Sequence, residues 1–360
     1  MNKFNELSHY IKYIIVSYFT VITTTALAST MFVSHFSNAE NWCNVSPSQA
    51  RQYISDATAF AKQGLAQDPH PVPYLHTQGL LPHQGIRDLS IAAEKDLHVM
   101  RNAALIWRAT GDKKWLKVAH QYLMAWVKEY KPSYDPIDET GFESLIDSYA
   151  ITKNAMPAED RKMVESFLKK WGDGYISSIQ HADNKKTWIN NWQSHRIKII
   201  TMIAVAIDDK DLFDKSRYLF TNQLSKNIMG TGEPIDFIQR DALHYVVYDI
   251  EPLVQAALAA KRFGENWYLI KGDNGGSVKK ALLWLAPYAA GEKRHKEFVH
   301  SHAHFDQARA QAGIKGFKGM FNRRTAAKLY WMATGLDNSW RTLAKNLSGK
   351  PPVNVSMCGL

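Results

Sequence analysis

Cysteine is scarce in this sequence: its 360 residues include only Cys43 and Cys358, one near each end. The chain can therefore form at most one internal disulfide, which in an oxidising compartment would tie its two ends together. The alternative is a pair of free thiols, because pairing depends on a Cα separation that sequence does not reveal. We expect the disulfide.

Runs of alternating apolar and polar residues, the pattern of half-buried strands, are also missing. Instead, nearly every segment after residue 46 has apolar residues at helical spacing, with short Gly, Pro or Asp breaks between segments. Segments 105–123 and 328–347 share the order helix, Thr-Gly, Trp, helix, which indicates a repeated helical hairpin. The pattern predicts an all-α protein, a toroid or solenoid of helix pairs in one domain.

The sequence has no arginine-rich tract and no nucleic-acid-binding motif, although its formal net charge is +10. A basic surface concentrates anions around a protein. Because the positive residues are spread along the chain, we expect an acidic small molecule or acidic polysaccharide as the partner, and no nucleic acid. We also expect a monomer.

The first 39 residues have the composition of a secretory signal peptide. Two lysines precede an uncharged run from 13 to 39, which ends in Ser-Asn-Ala, a cleavage pattern after Ala39; a second such pattern ends at Ala28. The alternative is an uncleaved anchor, since the run is long enough to span a bilayer, but its Ser and Thr residues make it weakly apolar. We expect cleavage and a periplasmic or secreted domain, 40–360, without stable membrane contact.

Segment 240–254, RDALHYVVYDIEPLV, carries three groups that can hold an anion or move a proton, Arg240, His244 and Tyr248. Because four residues are close to one helical turn, a single helix here would place all three in one stripe. A core stripe would be apolar, and a solvated stripe would be richer in Lys, Glu and Gln. The segment therefore predicts the lining of a binding or catalytic site.

A second segment, WINNWQSHRIK at 188–198, combines an amide, an imidazole, a guanidinium and an indole. If a helix begins near Asn191, then Asn191 and His195 lie one turn apart, and Trp192 and Arg196 form the next such pair. The amide and guanidinium suit a carboxylate, and the indole suits the face of a sugar ring. The alternative is a helix-capping Asn followed by a structural His and a core Trp.

Together the two segments contain what β-elimination at a uronic acid requires. Loss of the C5 proton adds a second negative charge to the carboxylate, and Asn191 and Arg240 are candidates to stabilise that dianion. Tyr248 or His195 is the candidate base, and Tyr248 can return a proton to the leaving O4. Tyr248 needs a nearby cation to ionise near neutral pH, which we expect Arg240 and His244 to supply. This chemistry requires no metal and no organic cofactor.

The same segments resemble the alginate lyase superfamily, meaning polysaccharide lyase family 5 and related lyases of β-linked uronans. NNWQSHR at 190–196 and RDALHYVVY at 240–248 are similar to the family's Asn-Asn-His motif and its later Arg, Ala-Leu-x-Tyr-His-x-Tyr segment. Segments 110–126, 135–151 and 291–313 also resemble parts of the superfamily. The resemblance implies an (α/α) toroid and a lyase that cleaves a 1,4-linked polyuronate to 4,5-unsaturated oligouronides.

By this resemblance, Asn191 is the amide that neutralises the substrate carboxylate, Arg240 is the guanidinium, and Tyr248 is the catalytic tyrosine with Tyr245 as its companion. Other residues of the two segments are expected to bind substrate: Trp192, Arg196, His244 and Tyr245.

Two positions depart from the family pattern. Trp192 stands where family 5 has its histidine, so His195, one turn later, takes that role. Asp241 lies between the arginine and Ala-Leu, which lengthens the Arg-to-Tyr spacing by one residue. Both departures suggest a sister family acting on glucuronan or a mixed uronan instead of polymannuronate.

Alternative functions remain open. Asp138 with Glu139, or Asp236 with Asp241, is a candidate acid and base pair of an inverting glycosidase. A second alternative is a periplasmic polyuronate-binding or export protein, which would bind the polymer in such a groove but would not cleave it. The histidines of 300–304 resemble a divalent-metal site but lack a fourth ligand at a recognised spacing, so we expect no metal.

Three segments rich in Pro, Gly and polar residues are predicted as loops between helices, where a cleft can open: 68–85, 130–141 and 229–239. Within the first, 76–85 is either a lid, with Tyr74 and His76 reaching the cleft, or a plain connection.

Overall fold

The computed structural model describes residues 50–182 and 185–357, and in these ranges it contains α-helices and short 3-10 turns but no β-strand. The expected disulfide between Cys43 and Cys358 and the expected signal peptide, 1–39, lie outside the described residues. No helix within the described ranges combines the length and the apolar character needed to cross a bilayer.

The α-helices have the following bounds, in chain order: α1 (Ile54–Ala61), α2 (Arg87–Ala93), α3 (Lys95–Thr110), α4 (Lys113–Glu129), α5 (Glu143–Thr152), α6 (Ala158–Gln180), α7 (Asn191–Ala206), α8 (Lys210–Asn227), α9 (Ile235–Arg240), α10 (Leu243–Arg262), α11 (Val278–Ala290), α12 (His304–Gln311), α13 (Ala327–Ala333), α14 (Arg341–Leu347) and α15 (Val353–Met357).

These helices form an (α/α) toroid. Helices α3, α5, α7, α10 and α13 make an inner ring in which each contacts the next, and α4, α6, α8, α11 and α14 pack outside it. Helix α7 is buried at every position except Trp192, because α5, α6, α8 and α10 surround it. The outer helix α4 instead buries one stripe, which includes Trp115, Tyr122 and Trp126. The predicted all-α toroid is confirmed.

Both segments predicted to repeat are helical hairpins. Helix α3 ends at Thr110, and Gly111 follows in the left-handed conformation with φ of 73°, which glycine adopts without steric cost. Helix α4 then returns along α3. In the second copy, α13 ends just before Thr334 and packs against α14.

The predicted helix over 240–254 is interrupted at its first residue. Helix α9 ends at Arg240, and Asp241 takes a left-handed conformation with φ of 48°. Helix α10 begins at Leu243, where the carboxylate of Glu297 accepts the N–H groups of the first two helical residues, both at 3.1 Å. This carboxylate satisfies donors that have no partner inside the helix.

The prediction that one helical stripe carries Arg240, His244 and Tyr248 is therefore wrong. Only His244 and Tyr248 share a helix face, one turn apart on α10. Arg240 belongs to the preceding short helix, and its position relative to Tyr248 depends on the turn at Asp241.

Candidate active site

A groove of about 570 Å³ lies where the start of α7, the α9–α10 junction, α12 and segment 77–80 meet. The structure brings most of the predicted site residues to this groove. Its lining includes Asn191, Trp192, Arg240, His244, Tyr245 and Tyr248.

The side chain of Asn191 is held in place by a buried carboxylate. Helix α7 begins at this residue because the side chain of Asn190 caps it, accepting the N–H of Trp192 at 3.1 Å. Asp236 accepts both the backbone N–H of Asn191, at 2.8 Å, and its side-chain amide. Burial raises the pKa of Asp236 to about 6. Both asparagines line the groove, but the first caps the helix and the second has its amide held by Asp236.

Arg240 reaches the groove from the end of α9 and is fixed by Asp306 of α12. Its Nε donates to Asp306 at 2.6 Å, and a second bond runs from Nη2 to the other carboxylate oxygen. The guanidinium also lies 3.9 Å from the centre of the Tyr245 ring. A planar guanidinium held on one side by a carboxylate keeps its remaining donors in a fixed direction.

A second guanidinium, that of Arg309, shares this wall of the groove. It donates to the hydroxyl of Tyr245 at 2.7 Å and lies 3.8 Å from Asp306. One buried carboxylate therefore faces two guanidiniums, Arg240 and Arg309, and the cluster carries a positive surplus that favours an anionic ligand. Arg309 was not among the predicted site residues, although it lies in segment 291–313, which resembles the superfamily.

Tyr248 and His195 are adjacent, with ring centres 4.3 Å apart. Tyr248 lines the groove, whereas His195 is 4% exposed and lies behind the phenol, outside the lining. Burial, followed by the charge of Lys198, lowers the pKa of His195 well below its ordinary value, so the imidazole is neutral near pH 7.

The structure does not support the predicted cationic field from Arg240 and His244 at Tyr248. Burial raises the pKa of Tyr248 above the ordinary tyrosine value. Burial also lowers the pKa of His244, so this imidazole is neutral near pH 7 and supplies no charge. The charge of Arg240 is already paired with Asp306. With its pKa raised, Tyr248 is a neutral phenol near pH 7.

The structure places Arg196, which was predicted to bind substrate, outside the lining of the groove. It lies one turn deeper along α7 than Trp192, where the helix is already covered, and it is 4% exposed. Its guanidinium stacks 3.8 Å from the Trp188 ring centre and donates to the carbonyl of Thr187 at 2.8 Å. Burial lowers the pKa of Arg196 to about 10.

The acidic pair Asp138 and Glu139 holds loops in place. Asp138 accepts hydrogen bonds from the His76 ring at 2.8 Å and from the backbone N–H of Thr77 at 2.7 Å. Glu139 is fully buried and accepts bonds from two tyrosines, a tryptophan and the backbone N–H of Ser133. With their oxygens engaged in this way, the two carboxylates are poorly suited to act as a glycosidase pair.

The carboxylates of the other acidic pair, Asp236 and Asp241, also accept hydrogen bonds. Asp236 holds Asn191, and Asp241 accepts the backbone N–H of His300 at 2.8 Å. The neighbouring histidines His302 and His304 are exposed. Throughout the described part of the chain, no group of three His, Cys, Asp or Glu side chains is arranged to hold a metal ion.

The segment 76–85 reaches the groove, but not through the residues expected. Residues 77–80 line the groove, while His76 is turned to Asp138. Tyr74 is exposed, with the ammonium of Lys131 5.7 Å from its ring centre, and is not part of the lining.

Two further ionisable residues of the lining, Arg87 and Glu94, were not predicted. Glu94 occupies the break between α2 and α3. Burial, with a smaller contribution from Asp138, raises the pKa of Glu94 to about 7. A carboxyl group that changes charge near neutral pH therefore faces a groove suited to anions.

Comparison with known proteins places this chain in a family. The alginate lyase family model matches residues 37–295, whereas no curated protein matches the sequence significantly. The crystal structure of an alginate lyase from Bacteroides ovatus has 15% identity and a TM-score of 0.61, over 91% of this chain and 97% of that chain. A histidine-to-alanine variant of alginate lyase A1-III in complex with a tetrasaccharide has 14% identity and a TM-score of 0.62, over 90% and 96%.

Alginate lyase A1-III from Sphingomonas species A1 has 18% identity and a TM-score of 0.54, over 71% of this chain and 79% of that chain. At these identities the solved structures establish the shared fold. The family model covers most of the chain, from before the first described helix to the residues just after α11. The chain therefore belongs to the alginate lyase family and is a polysaccharide lyase.

Proposed function

We propose that the protein cleaves a 1,4-linked polyuronate, alginate or glucuronan, by β-elimination and leaves a 4,5-unsaturated uronate at the new non-reducing end. One observation carries the proposal. An amide, a guanidinium and a phenol from three different helices line one groove: Asn191 of α7, Arg240 of α9 and Tyr248 of α10.

The reaction is limited by the acidity of the proton at C5, next to the carboxylate. When this C–H bond breaks, its electron pair moves toward the carboxylate and then forms the C4–C5 double bond as the C4–O4 bond breaks. Asn191 and Arg240 bind the carboxylate and stabilise the charge that builds up on it, an effect that preorganised donors deliver without reorganisation. Their anchors, Asp236 and Asp306, supply that preorganisation.

Tyr248 carries the proton, because its phenol faces the groove and His195 lies behind it. Its oxygen takes the C5 proton and returns a proton to the leaving O4, so that no water enters the bond-breaking step. Proton abstraction requires the phenolate, which the raised pKa of Tyr248 makes a minority species near neutral pH.

The rest of the lining suits an acidic sugar chain. The indole of Trp192 offers a flat surface for a pyranose ring, and Arg309 adds positive charge. His244 completes this wall as a neutral imidazole. Two variants of the related alginate lyase A1-III have been solved with a tetrasaccharide, which supports a groove that accommodates several sugar units.

We also propose that the enzyme is exported to the periplasm or the medium. The basis is the uncharged run over 13–39 with its small-residue cleavage pattern. A polymeric substrate outside the cytoplasm fits this location.

The test is to incubate the protein separately with polymannuronate, polyguluronate and glucuronan and to follow ultraviolet absorbance and reducing ends together. We expect absorbance to rise in step with reducing ends on at least one polymer, because each cleavage creates one conjugated double bond. New reducing ends without absorbance would indicate hydrolysis. Retained binding with neither change would indicate a non-catalytic polyuronate-binding protein. Either result would overturn the proposal.

A further inference from the structure

A buried ammonium lies behind the candidate active site. Lys198 of α7 is 1% exposed, yet its Nζ is fully hydrogen-bonded. It donates to the Thr140 carbonyl at 2.9 Å, the Thr140 hydroxyl at 2.7 Å and the carboxylate of Glu143 at 2.8 Å. An ammonium has three N–H donors, so all three are used and the lysine has one fixed geometry.

The Thr140 hydroxyl connects this ammonium to the imidazole of His195. Its oxygen lies 2.7 Å from Nδ1 of His195. Because the oxygen already accepts a bond from Lys198, its own hydrogen is free to be donated, and Nδ1 is the acceptor within reach among residues 50–182 and 185–357. A hydroxyl polarised by a cation is a better donor and a poorer acceptor. These arguments favour a bond donated by Thr140 to Nδ1, which requires the proton of His195 to be on Nε2.

The charges around His195 come from five helices. Lys198 of α7 and Glu143 of α5 are nearest, and Glu143 is shared with Arg101 of α3 at 3.4 Å and Lys328 of α13 at 3.6 Å. Lys328 is also paired with Glu251 of α10. Of these, Lys198 and Lys328 oppose protonation of the imidazole and Glu143 favours it, but burial of the ring is the largest influence on the pKa of His195.

We propose that Lys198 and Thr140 are positioning residues that hold His195 as the neutral tautomer with its proton on Nε2. The histidine is then a hydrogen-bond donor beside Tyr248, and the phenol oxygen is the group that accepts the C5 proton. The catalytic part of this inference rests on the proposed function, whereas the tautomer does not.

A purely structural role for Lys198 makes a different prediction. Replacing a buried ion pair by a well-packed apolar side chain is often neutral or stabilising. Glu143 would keep Arg101, Lys328 and the amide of Gln255, which donates to it at 2.8 Å. If Lys198 served stability alone, a methionine in its place would leave the state of the His195 ring and the reaction unchanged.

The direct test is side-chain nitrogen NMR of the full chain labelled in histidine, with the His195 signals identified by their loss in His195→Gln. We expect the unmodified protein to show protonated Nε2 and unprotonated Nδ1 from about pH 6 to pH 8. Thr140→Val keeps the charge of Lys198 but removes the donor, so the tautomer should change or become mixed. Thr140→Ser keeps the hydroxyl and should preserve it. A proton on Nδ1 in the unmodified protein, or no change in Thr140→Val, would overturn the inference.

Lys198→Met gives a second readout. It removes the nearest cation and leaves Glu143, so the imidazole should take up its second proton at higher pH than in the unmodified protein. Loss of the Lys198 cation and the remaining charge of Glu143 both favour the protonated imidazole. An unchanged or lower titration midpoint of His195 would therefore contradict the inference. The Thr140 variants keep the test decisive if Lys198→Met fails to fold.

Kinetics separate this inference from the proposed function. With a cleaved polyuronate, Thr140→Val should lower kcat at least about 10-fold with little change in KM, and Thr140→Ser should restore it. Nε2 protonation without cleavage of any polyuronate would leave the tautomer established and refute the proposed activity. Cleavage with the proton on Nδ1 would refute the positioning role and leave the activity intact.

Discussion

Arg240 and Asp306 form a two-bond ion pair across 66 residues of sequence, and the carboxylate lies beyond residue 295, where the family match ends. Asp306 is 1% exposed, so its charge is committed to the two guanidiniums beside it, Arg240 and Arg309. The orientation of Arg240 therefore depends on a short helix, α12, that no part of the matched segment contains.

Asp306→Asn tests this dependence. The change removes a charge but keeps the shape, and it leaves Arg240 without its fixed partner. We expect kcat/KM to fall at least about 10-fold and unfolding free energy to drop by roughly 3 kcal/mol, the usual scale for breaking a buried pair. Kinetics and denaturant unfolding measure the two effects. Unchanged kcat/KM would show that Arg240 does not need this anchor.

Tyr248→Phe should abolish turnover and leave polymer binding nearly intact. The phenol oxygen is the proposed proton carrier, and general acid–base groups typically contribute 10²- to 10⁴-fold to rate, so kcat should fall by at least about 10². Tyr245→Phe is the matched control: it removes the hydroxyl that Arg309 binds and should act mainly on KM. Loss of binding together with activity in Tyr248→Phe would move Tyr248 out of the catalytic role.

The rate at saturating substrate should rise with pH. Burial raises the pKa of Tyr248, so the phenolate fraction grows about tenfold per pH unit over the range below that pKa. His195 has a lowered pKa and is already neutral, so it adds no rise in this range. We expect log kcat to increase between about pH 6 and pH 8.5. A flat profile over this range would argue against Tyr248 as the base.

KM should respond to the ionisation of Glu94. Its pKa is raised to about 7, so the carboxyl is mostly neutral at pH 6 and mostly charged at pH 8, where it repels a polyanion. We expect KM to increase over this interval in the unmodified enzyme and to stay nearly constant in Glu94→Gln. Glu159→Gln, an exposed position outside the groove lining, is the control and should keep the unmodified dependence.

Arg196→Gln should affect stability and not substrate binding. The guanidinium stacks on Trp188 instead of lining the groove, and such a buried contact contributes about 1–2 kcal/mol. We expect KM within about twofold of the unmodified value and a lower melting temperature. Arg240→Gln is the comparison and should raise KM strongly. A large rise in KM for Arg196→Gln alone would restore this residue to the substrate site.

Helical spacing was sufficient to predict an all-α protein of helix pairs, whereas the (α/α) toroid was implied by the family resemblance. Each hairpin buries an apolar stripe, so the sequence of Lys95–Glu129 carries the pattern and the Gly111 turn that the structure shows. The clustered polar residues near Asn191 and Tyr248 were also sufficient to predict the lining of a site, because a helix start and a helix face are local features of the sequence. Both positions line the groove.

The features that the sequence did not predict depend on how the helices pack against one another. Asp241 tolerates the left-handed conformation because its side chain is short and polar, but its sequence neighbours give no sign that α9 ends there. The raised pKa of Tyr248 and the lowered pKa of His244 both follow from burial, which depends on packing between helices. Arg309 was missed for a related reason, since its partners Asp306 and Tyr245 come together only in the folded chain.

The turn at Asp241 has an evolutionary consequence. Because Arg240 ends one helix and Leu243 begins another, we expect the bend to accommodate a residue gained or lost between them without changing the direction of the Tyr248 phenol. The same insertion between Leu243 and Tyr248 would rotate that phenol by about 100° around its helix. We therefore expect insertions and deletions among relatives to fall between Arg240 and Leu243 and not between Leu243 and Tyr248.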